Sequence, residues 1–382
     1  MIVRKFGGTS VQDASALRAV LAICARASSA SSASSASSAS DAQVVVLSAT
    51  SGTTDSLFKL ARAAGNGNMA EMHLMLQHVR DKHMQILEEA GVGTSADVEA
   101  TLHELSHYAN GVALLAECTP QSLDMMASFG EMLSTKIFAA MCKANGLNTQ
   151  WFDVRTVLRT DTRFTSAAAQ FDTIQPLADD LLKPLLAPGA IVVTQGYIGQ
   201  TEDGRTTTLG RGGSDYSAAI LGAVLGAEEI QIWTDVSGVY SADPRQIPDA
   251  QPIPHLSFSE VRELAQYGAK VLHPDTISPA IERSIPVRIL NTFRPHDAGT
   301  LITAMQPDDT DVHAVTVLRS CVRVVLHTLH SPAAKSASMH KFADQSVLHM
   351  SSLDSHIFVM RVADEDARVT LDVALADLPH TS

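Results

Sequence analysis

The sequence predicts an α/β protein built on an open sheet, and three observations carry that expectation. Short apolar, β-branched runs recur at Ile2–Phe6, Gln43–Leu47, Ala190–Gly199, Glu229–Trp233 and Ile285–Leu290. Helix-patterned stretches separate them. Several runs end in turns of glycine and small hydroxyl residues, the place where an open α/β sheet binds its ligands.

Ile2–Phe6 runs into Gly7-Gly8-Thr9-Ser10, and a helix pattern with Val11, Leu17, Val20, Leu21 and Ile23 on one side follows. Strand, glycine turn and helix make a phosphate-binding arrangement, and Lys5 stands where its ammonium could reach a terminal phosphate. The spacing is not that of a P-loop. Residues Ala27–Ser40 repeat a Ser-Ser-Ala rhythm without core-forming side chains, which reads as a flexible surface linker. Gln43–Leu47 is a buried strand that ends in Ser48–Asp55, and a helix is predicted from Ser56 to Ala64. Capping explains one or two of those hydroxyls as well as ligand contact does.

From Met69 to Ala144 the pattern is mainly helical. His103-Glu104-Leu105-Ser106-His107 matches the H-E-x-x-H spacing of zinc enzymes, with Glu117 or Glu131 as conceivable third ligands. With 15 histidines in the chain, an exposed polar helix face is the preferred reading, and no metal ligand is assigned. Ser128-Phe129-Gly130-Glu131 reads as an interruption of the helical region, with Glu131 either at a helix start or holding a substrate ammonium. A strand begins at Trp151-Phe152-Asp153.

The stretch Thr207–Ser217 organises the rest. It lies between the Ala190–Gly199 strand and a small-residue helix, Ala218–Leu225, and holds Gly210, Arg211, Gly212, Gly213, Ser214 and Asp215. Glycines admit a ligand close to the backbone, a helix N-terminus favours an anion, and arginine offers a planar fork to a carboxylate or phosphate. A glycine-rich turn with Ser214 or Asp215 as an ordinary N-cap is the alternative. Beyond Glu229–Trp233, the loop with Thr234, Asp235, Tyr240 and Asp243-Pro244-Arg245 suits a nucleotide base and ribose or is a plain turn. Lys270 supplies a second lysine near a helix end.

Composition narrows the classes. The chain's 382 residues allow two or three domains. A net charge of −13 argues against nucleic acid or an anionic membrane as partner. Four scattered cysteines without a C-x-x-C pair suit reduced thiols in a cytosol. No apolar run is long enough to span a bilayer, so a cytoplasmic protein is expected.

Taken in order, Lys5–Ser10, Val46–Ala49, Phe129–Glu131, Thr208–Asp215, Trp233–Tyr240, Asp243–Arg245, Gly268–Pro274 and Asn291–Phe293 resemble the motifs of aspartate kinases, in the amino-acid kinase superfamily. The resemblance spans residues 1 to about 303. It implies a three-layer α/β/α amino-acid kinase fold with a mainly parallel central sheet. It implies that ATP, with Mg²⁺, phosphorylates the β-carboxylate of L-aspartate to 4-phospho-L-aspartate, the first step towards lysine, threonine, methionine and diaminopimelate. It assigns Lys5, Asp215 and Lys270 to catalysis, with Asp215 orienting the two lysines. Lys5, Gly7, Gly8, Thr9, Thr234, Asp235, Tyr240, Arg245 and Lys270 fall to the nucleotide. Ser48, Thr54, Glu131, Arg211, Gly212, Gly213 and Ser214 fall to aspartate.

The family usually carries two regulatory ACT modules after the kinase domain. Residues 310–382 leave room for about one α+β ACT-like module, for regulation or for pairing in a homodimer or higher homo-oligomer. Strands are expected at Ala314–Leu318, Val322–Leu326, Ser346–Met350 and His356–Met360, and a helix at Pro332–Phe342. Feedback by lysine or threonine is expected to be weak, because a complete ACT pair must form between subunits. A kinase for another small acid, a non-catalytic amino-acid sensor and a zinc hydrolase are the competing readings.

Overall fold

The computed structural model describes residues 1–30, 42–241, 247, 249–266, 272, 274–304, 321–327, 346–351 and 355–361. In chain order the elements are β1 (Ile2–Phe6), α1 (Ala14–Ala30), β2 (Gln43–Leu47), α2 (Thr53–Gly65), α3 (Met69–Glu89), α4 (Ala96–Leu115), α5 (Pro120–Ala144), β3 (Thr149–Phe152) and α6 (Phe171–Leu177). There follow β4 (Ile191–Gln195), β5 (Ile198–Gln200), β6 (Thr206–Thr208), α7 (Gly213–Leu225), β7 (Glu229–Thr234), β8 (His255–Ser257) and α8 (Phe258–Gln266). The last are α9 (Ser278–Glu282), β9 (Val287–Asn291), β10 (Thr300–Thr303), β11 (Cys321–His327), β12 (Ser346–Ser351) and β13 (Ser355–Arg361).

Eight strands form one sheet in the order β3-β4-β2-β1-β7-β9-β10-β8. Every pair is parallel except β9 with β10. The β-branched runs explain this arrangement: the five residues of β2 and of β4 are all buried, as strands covered on both faces must be. Alternation then sorts the faces. Phe6 and Leu47 join Leu17, Leu57, Leu60, Phe129 and Phe138 in the core beneath α1, α2 and α5. Helix α7 packs across β1, β2 and β7, and its first turn meets Lys5, which alternates with Phe6 along β1. The result is the expected three-layer α/β/α arrangement with a mainly parallel sheet.

Four local expectations are corrected. Helix α1 continues through Ala27–Ala30, because alanine sustains a helix that serine only weakly opposes; residues 31–41 lie outside the described residues. Helix α2 starts at Thr53, one turn earlier than Ser56, behind a left-handed Gly52 (φ 76°). The run Ala190–Gly199 divides into β4 and β5 at Gly196-Tyr197, where Tyr197 takes φ 68° and turns the chain. No break occurs at Ser128–Glu131: α5 is continuous from Pro120, capped by the Thr119 side chain, to Ala144.

Contacts divide the chain into two compact units, Met1–Val239 with Pro252–Phe258 and Leu272–Asp309, and Tyr240–Gln251 with Ser259–Val271 and Thr310–Ser382. In the second unit β11, β13 and β12 form an antiparallel sheet in that order. These are three of the four C-terminal strands expected; Ala314–Leu318 and the helix at Pro332–Phe342 lie outside the described residues. Among the described residues no helix is long and apolar enough to cross a membrane.

Candidate active site

Parallel register gathers the strand ends along one edge. Phe6 pairs with Leu47 and Trp233, Leu47 with Gln195, and Thr234 with Asn291. The turns after β1, β2, β4, β7 and β9 therefore emerge side by side, where an open sheet forms its binding crevice.

Lys5 is near the end of β1, and its Nζ lies 2.7 Å from Asp215 Oδ1 in the first turn of α7. Both side chains are largely shielded, at 12% and 19% exposure, so the pair is less screened than a surface ion pair. Gly7 donates its N–H to Trp233 O (3.2 Å), which turns the chain over the end of β7. Ser10 is anchored by Thr292 Oγ1 at 2.7 Å. Thr9 is exposed at the start of a short 3₁₀ turn, Thr9–Val11.

Helix α7 begins at Gly213 with Gly212 as its N-cap in the left-handed region (φ 71°), and no side chain caps it. Neither Ser214 nor Asp215 is the N-cap: the helix starts ahead of them, and Asp215 is spent on Lys5. Any Cβ on Gly212 would stand 2.6 Å from Thr276 Cγ2. The site thus demands glycine twice over, by conformation and by space. Arg211 is exposed in the turn just before, which Gly213 closes by donating its N–H to Gly210 O (3.0 Å).

The Ser48–Gly52 loop is held from below by α5. Ser134 Oγ donates to Ser48 O (2.8 Å), and Ala49 N–H donates to Glu131 Oε1 (3.1 Å). From the side α3 holds it: Lys82 Nζ donates to Ser51 O (2.5 Å), and His83 Nε2 lies 3.4 Å from Thr50 Oγ1. His83 is fully buried, with Nδ1 2.7 Å from Val79 O, and burial pushes its pKa down to about 4. The neutral ring therefore donates from Nδ1 to that carbonyl and accepts at Nε2. Thr54 follows, half-buried in the first turn of α2.

Glu131 is only 3% exposed and sits mid-helix rather than at a helix start. Its Oε2 has no hydrogen-bond partner among the described residues, and burial pushes its pKa up to about 8. Without a partner the carboxyl is thus largely protonated near pH 7, and an ammonium brought to its open oxygen would favour the ionised form. The Tyr197 hydroxyl is raised to about 12, by burial first and also by the charges of Glu131 and Asp124.

Thr234 ends β7, and its Oγ1 donates to Asp235 Oδ1 at 3.0 Å on the same edge. Tyr240 is half-buried in the second unit; Arg245 and Lys270 lie outside the described residues. His103 and His107 are exposed on α4 with ring centroids 4.1 Å apart, the polar helix face expected of them. Among the described residues no three His, Cys, Asp or Glu side chains converge to hold a metal. Sequence reasoning missed Lys82, His83, Tyr197 and Asp124. Only Asp124 left a trace, its place two helical turns before Glu131.

Residues 1–291 match the amino acid kinase family. The chain is 37% identical to the lysine-sensitive aspartokinase 3 of Escherichia coli over 86% of its own length and 70% of that protein's. It is 34% identical to aspartokinase 1, chloroplastic, of Arabidopsis thaliana over 85% of itself, yet spans 55% of that relative. The crystal structure of E. coli aspartokinase III in complex with aspartate and ADP aligns with TM-score 0.75 and 33% identity, covering 99% of this chain and 83% of that one. The chain therefore belongs to the amino acid kinase family and, within it, to the aspartokinases.

Proposed function

We propose that the chain is an aspartate kinase, transferring the γ-phosphoryl group of MgATP to the β-carboxylate of L-aspartate. The observation that carries the reading is the shielded Lys5–Asp215 pair on the same sheet edge as the Glu131-supported Ser48 loop. A β-carboxylate is ionised near pH 7, so it attacks phosphorus without a general base. One carboxylate oxygen forms the new O–P bond, the bond to the β–γ bridging oxygen breaks, and ADP leaves with the electron pair. Catalysis then rests on positioning and on cationic charge at the transferring group. In this reading Lys5 stabilises that charge, Asp215 holds the lysine in place, and Lys270 supplies the second cation. Gly7, Gly8, Thr9, Thr234 and Asp235 face the nucleotide, to which the family resemblance also assigns Tyr240 and Arg245, and Mg²⁺ enters with it.

Arg211 takes the α-carboxylate of aspartate, Glu131 the ammonium, and Ser48, Thr54 and the Gly212–Ser214 turn complete the pocket. Residues 1–303 form the kinase domain. Residues 310–382 form an ACT-like module that pairs subunits in a homo-oligomer, and the product enters lysine and threonine synthesis. A non-catalytic sensor would have no use for the Lys5–Asp215 pair. The test is hydroxylamine trapping of an acyl phosphate in the presence of MgATP and L-aspartate. A hydroxamate with aspartate, and none with glutamate, is expected; no aspartate-dependent hydroxamate at millimolar substrate would refute the assignment.

A further inference from the structure

Asp124 lies in the second turn of α5 and is 1% exposed. Among the described residues, every hydrogen bond its carboxylate accepts comes from a neutral donor far along the chain. Oδ2 takes the N–H of Thr165 (2.9 Å) and of Thr208 (3.0 Å), and Oδ1 takes the Thr208 hydroxyl (2.7 Å). Thr208 ends β6 and leads directly into Leu209-Gly210-Arg211. Thr165, held at φ 71°, places its carbonyl where a Cβ on Gly210 would meet it at 3.2 Å. One carboxylate therefore clamps both sides of the turn that presents Arg211. Two helical turns further along α5, on the same face, stands Glu131.

We propose that Asp124 is a positioning residue for the amino-acid substrate, fixing the span between Arg211 and Glu131. This rests on the aspartate-kinase reading, in which those two groups take the α-carboxylate and the ammonium. The two substrate groups are joined through a single carbon, so their receptors must keep a fixed separation. Arg211 is the exposed residue of this glycine turn, so its place is set by the packed backbone beneath it. A carboxylate accepts from all three donors, and its charge strengthens each bond. An amide in its place keeps at most the two backbone N–H bonds on its neutral oxygen and turns its N–H₂ to the Thr208 hydroxyl, which must then accept.

The experiment is steady-state kinetics of the full chain carrying Asp124→Asn or Thr208→Val. Asp124→Asn keeps the volume and is expected to raise the KM for aspartate by at least about tenfold, the scale of one charge-assisted hydrogen bond. The KM for MgATP and kcat should stay within about threefold. Thr208→Val keeps the shape, removes one donor and is expected to raise only the aspartate KM, by a smaller factor; it decides the matter if Asp124→Asn does not fold. A folded variant with unchanged aspartate KM, or with both KM values and kcat moving together as a general structural defect would move them, overturns the proposal. Absence of aspartate-dependent turnover in the unsubstituted chain removes the parent reading and this one with it.

Discussion

Gly130 lies so close to Ala49 that a Cβ built on it would stand 2.8 Å from the Ala49 Cβ, with Leu57 Cδ1 at 3.3 Å. The glycine in mid-helix is there because α5 presses directly on the Ser48–Gly52 loop. In an exposed helix interior, glycine to alanine stabilises by about 1 kcal/mol. Here the sign should reverse. Gly130→Ala is expected to destabilise by about 1–3 kcal/mol, as overpacked cores do, and to raise the KM for aspartate. Denaturant unfolding and kinetics check it, and a stabilised variant with unchanged KM would count against so tight a contact.

Glu131 gives a pH dependence with a definite sign. In the unfolded chain its carboxyl titrates near 4.5, whereas in the ligand-free fold it titrates near 8. Between those values the folded state binds more protons, so this group's contribution to stability falls as pH rises from about 4.5 to 8. Glu131→Gln, neutral throughout, should gain stability relative to the unsubstituted protein across that window. Unfolding midpoints of both proteins at pH 5, 6.5 and 8 check it. A difference that is flat or shrinks with pH is the contrary result.

His83 behaves in the opposite sense. The unfolded chain takes up its proton near 6.5 and the fold near 4, so stability is lost as pH falls between them. His83→Leu should suffer less of this acid loss, and its missing acceptor at Thr50 Oγ1 should raise the aspartate KM a few-fold. Acid unfolding followed between pH 7 and 4 separates the variants; parallel curves would contradict the buried neutral imidazole.

Lys5→Ala and Asp215→Asn are predicted to lower kcat by about 10²–10³, the usual size for a lost charge stabiliser of a transition state. Aspartate KM should change little. Normal kcat in folded Lys5→Ala would show that the pair is structural.

Much of this was legible in the sequence, for a physical reason. The Val-rich runs read as strands covered on both faces, and Gly7-Gly8 and Gly210–Gly212 as turns beside strand ends. The positions of Lys5, Ser48 and Arg211 at strand ends could be read because Lys5 and Arg211 adjoin those turns and Ser48 follows the second strand. The clamps were not. Asp124 meets Thr208, and His83 meets Thr50, through side chains whose partners are distant in the chain, and no periodicity encodes such a meeting. Gly130 was misread because glycine breaks a pattern equally well whether it ends a helix or brings one into contact.

The strand order has a consequence for the order of synthesis. β1 lies between β2 and β7, so one edge of the first strand made waits for residues Glu229–Thr234. At about 5–20 residues per second, that interval after Leu47 is on the order of ten to forty seconds. Throughout it, Ile2–Phe6 offers an apolar strand edge to any other nascent chain. A chain cut after Gly226 is expected to aggregate or be digested near its first strand, and one extending past Asn291 to resist; equal resistance would count against it. The ribosome therefore exposes early what the finished sheet hides at its centre.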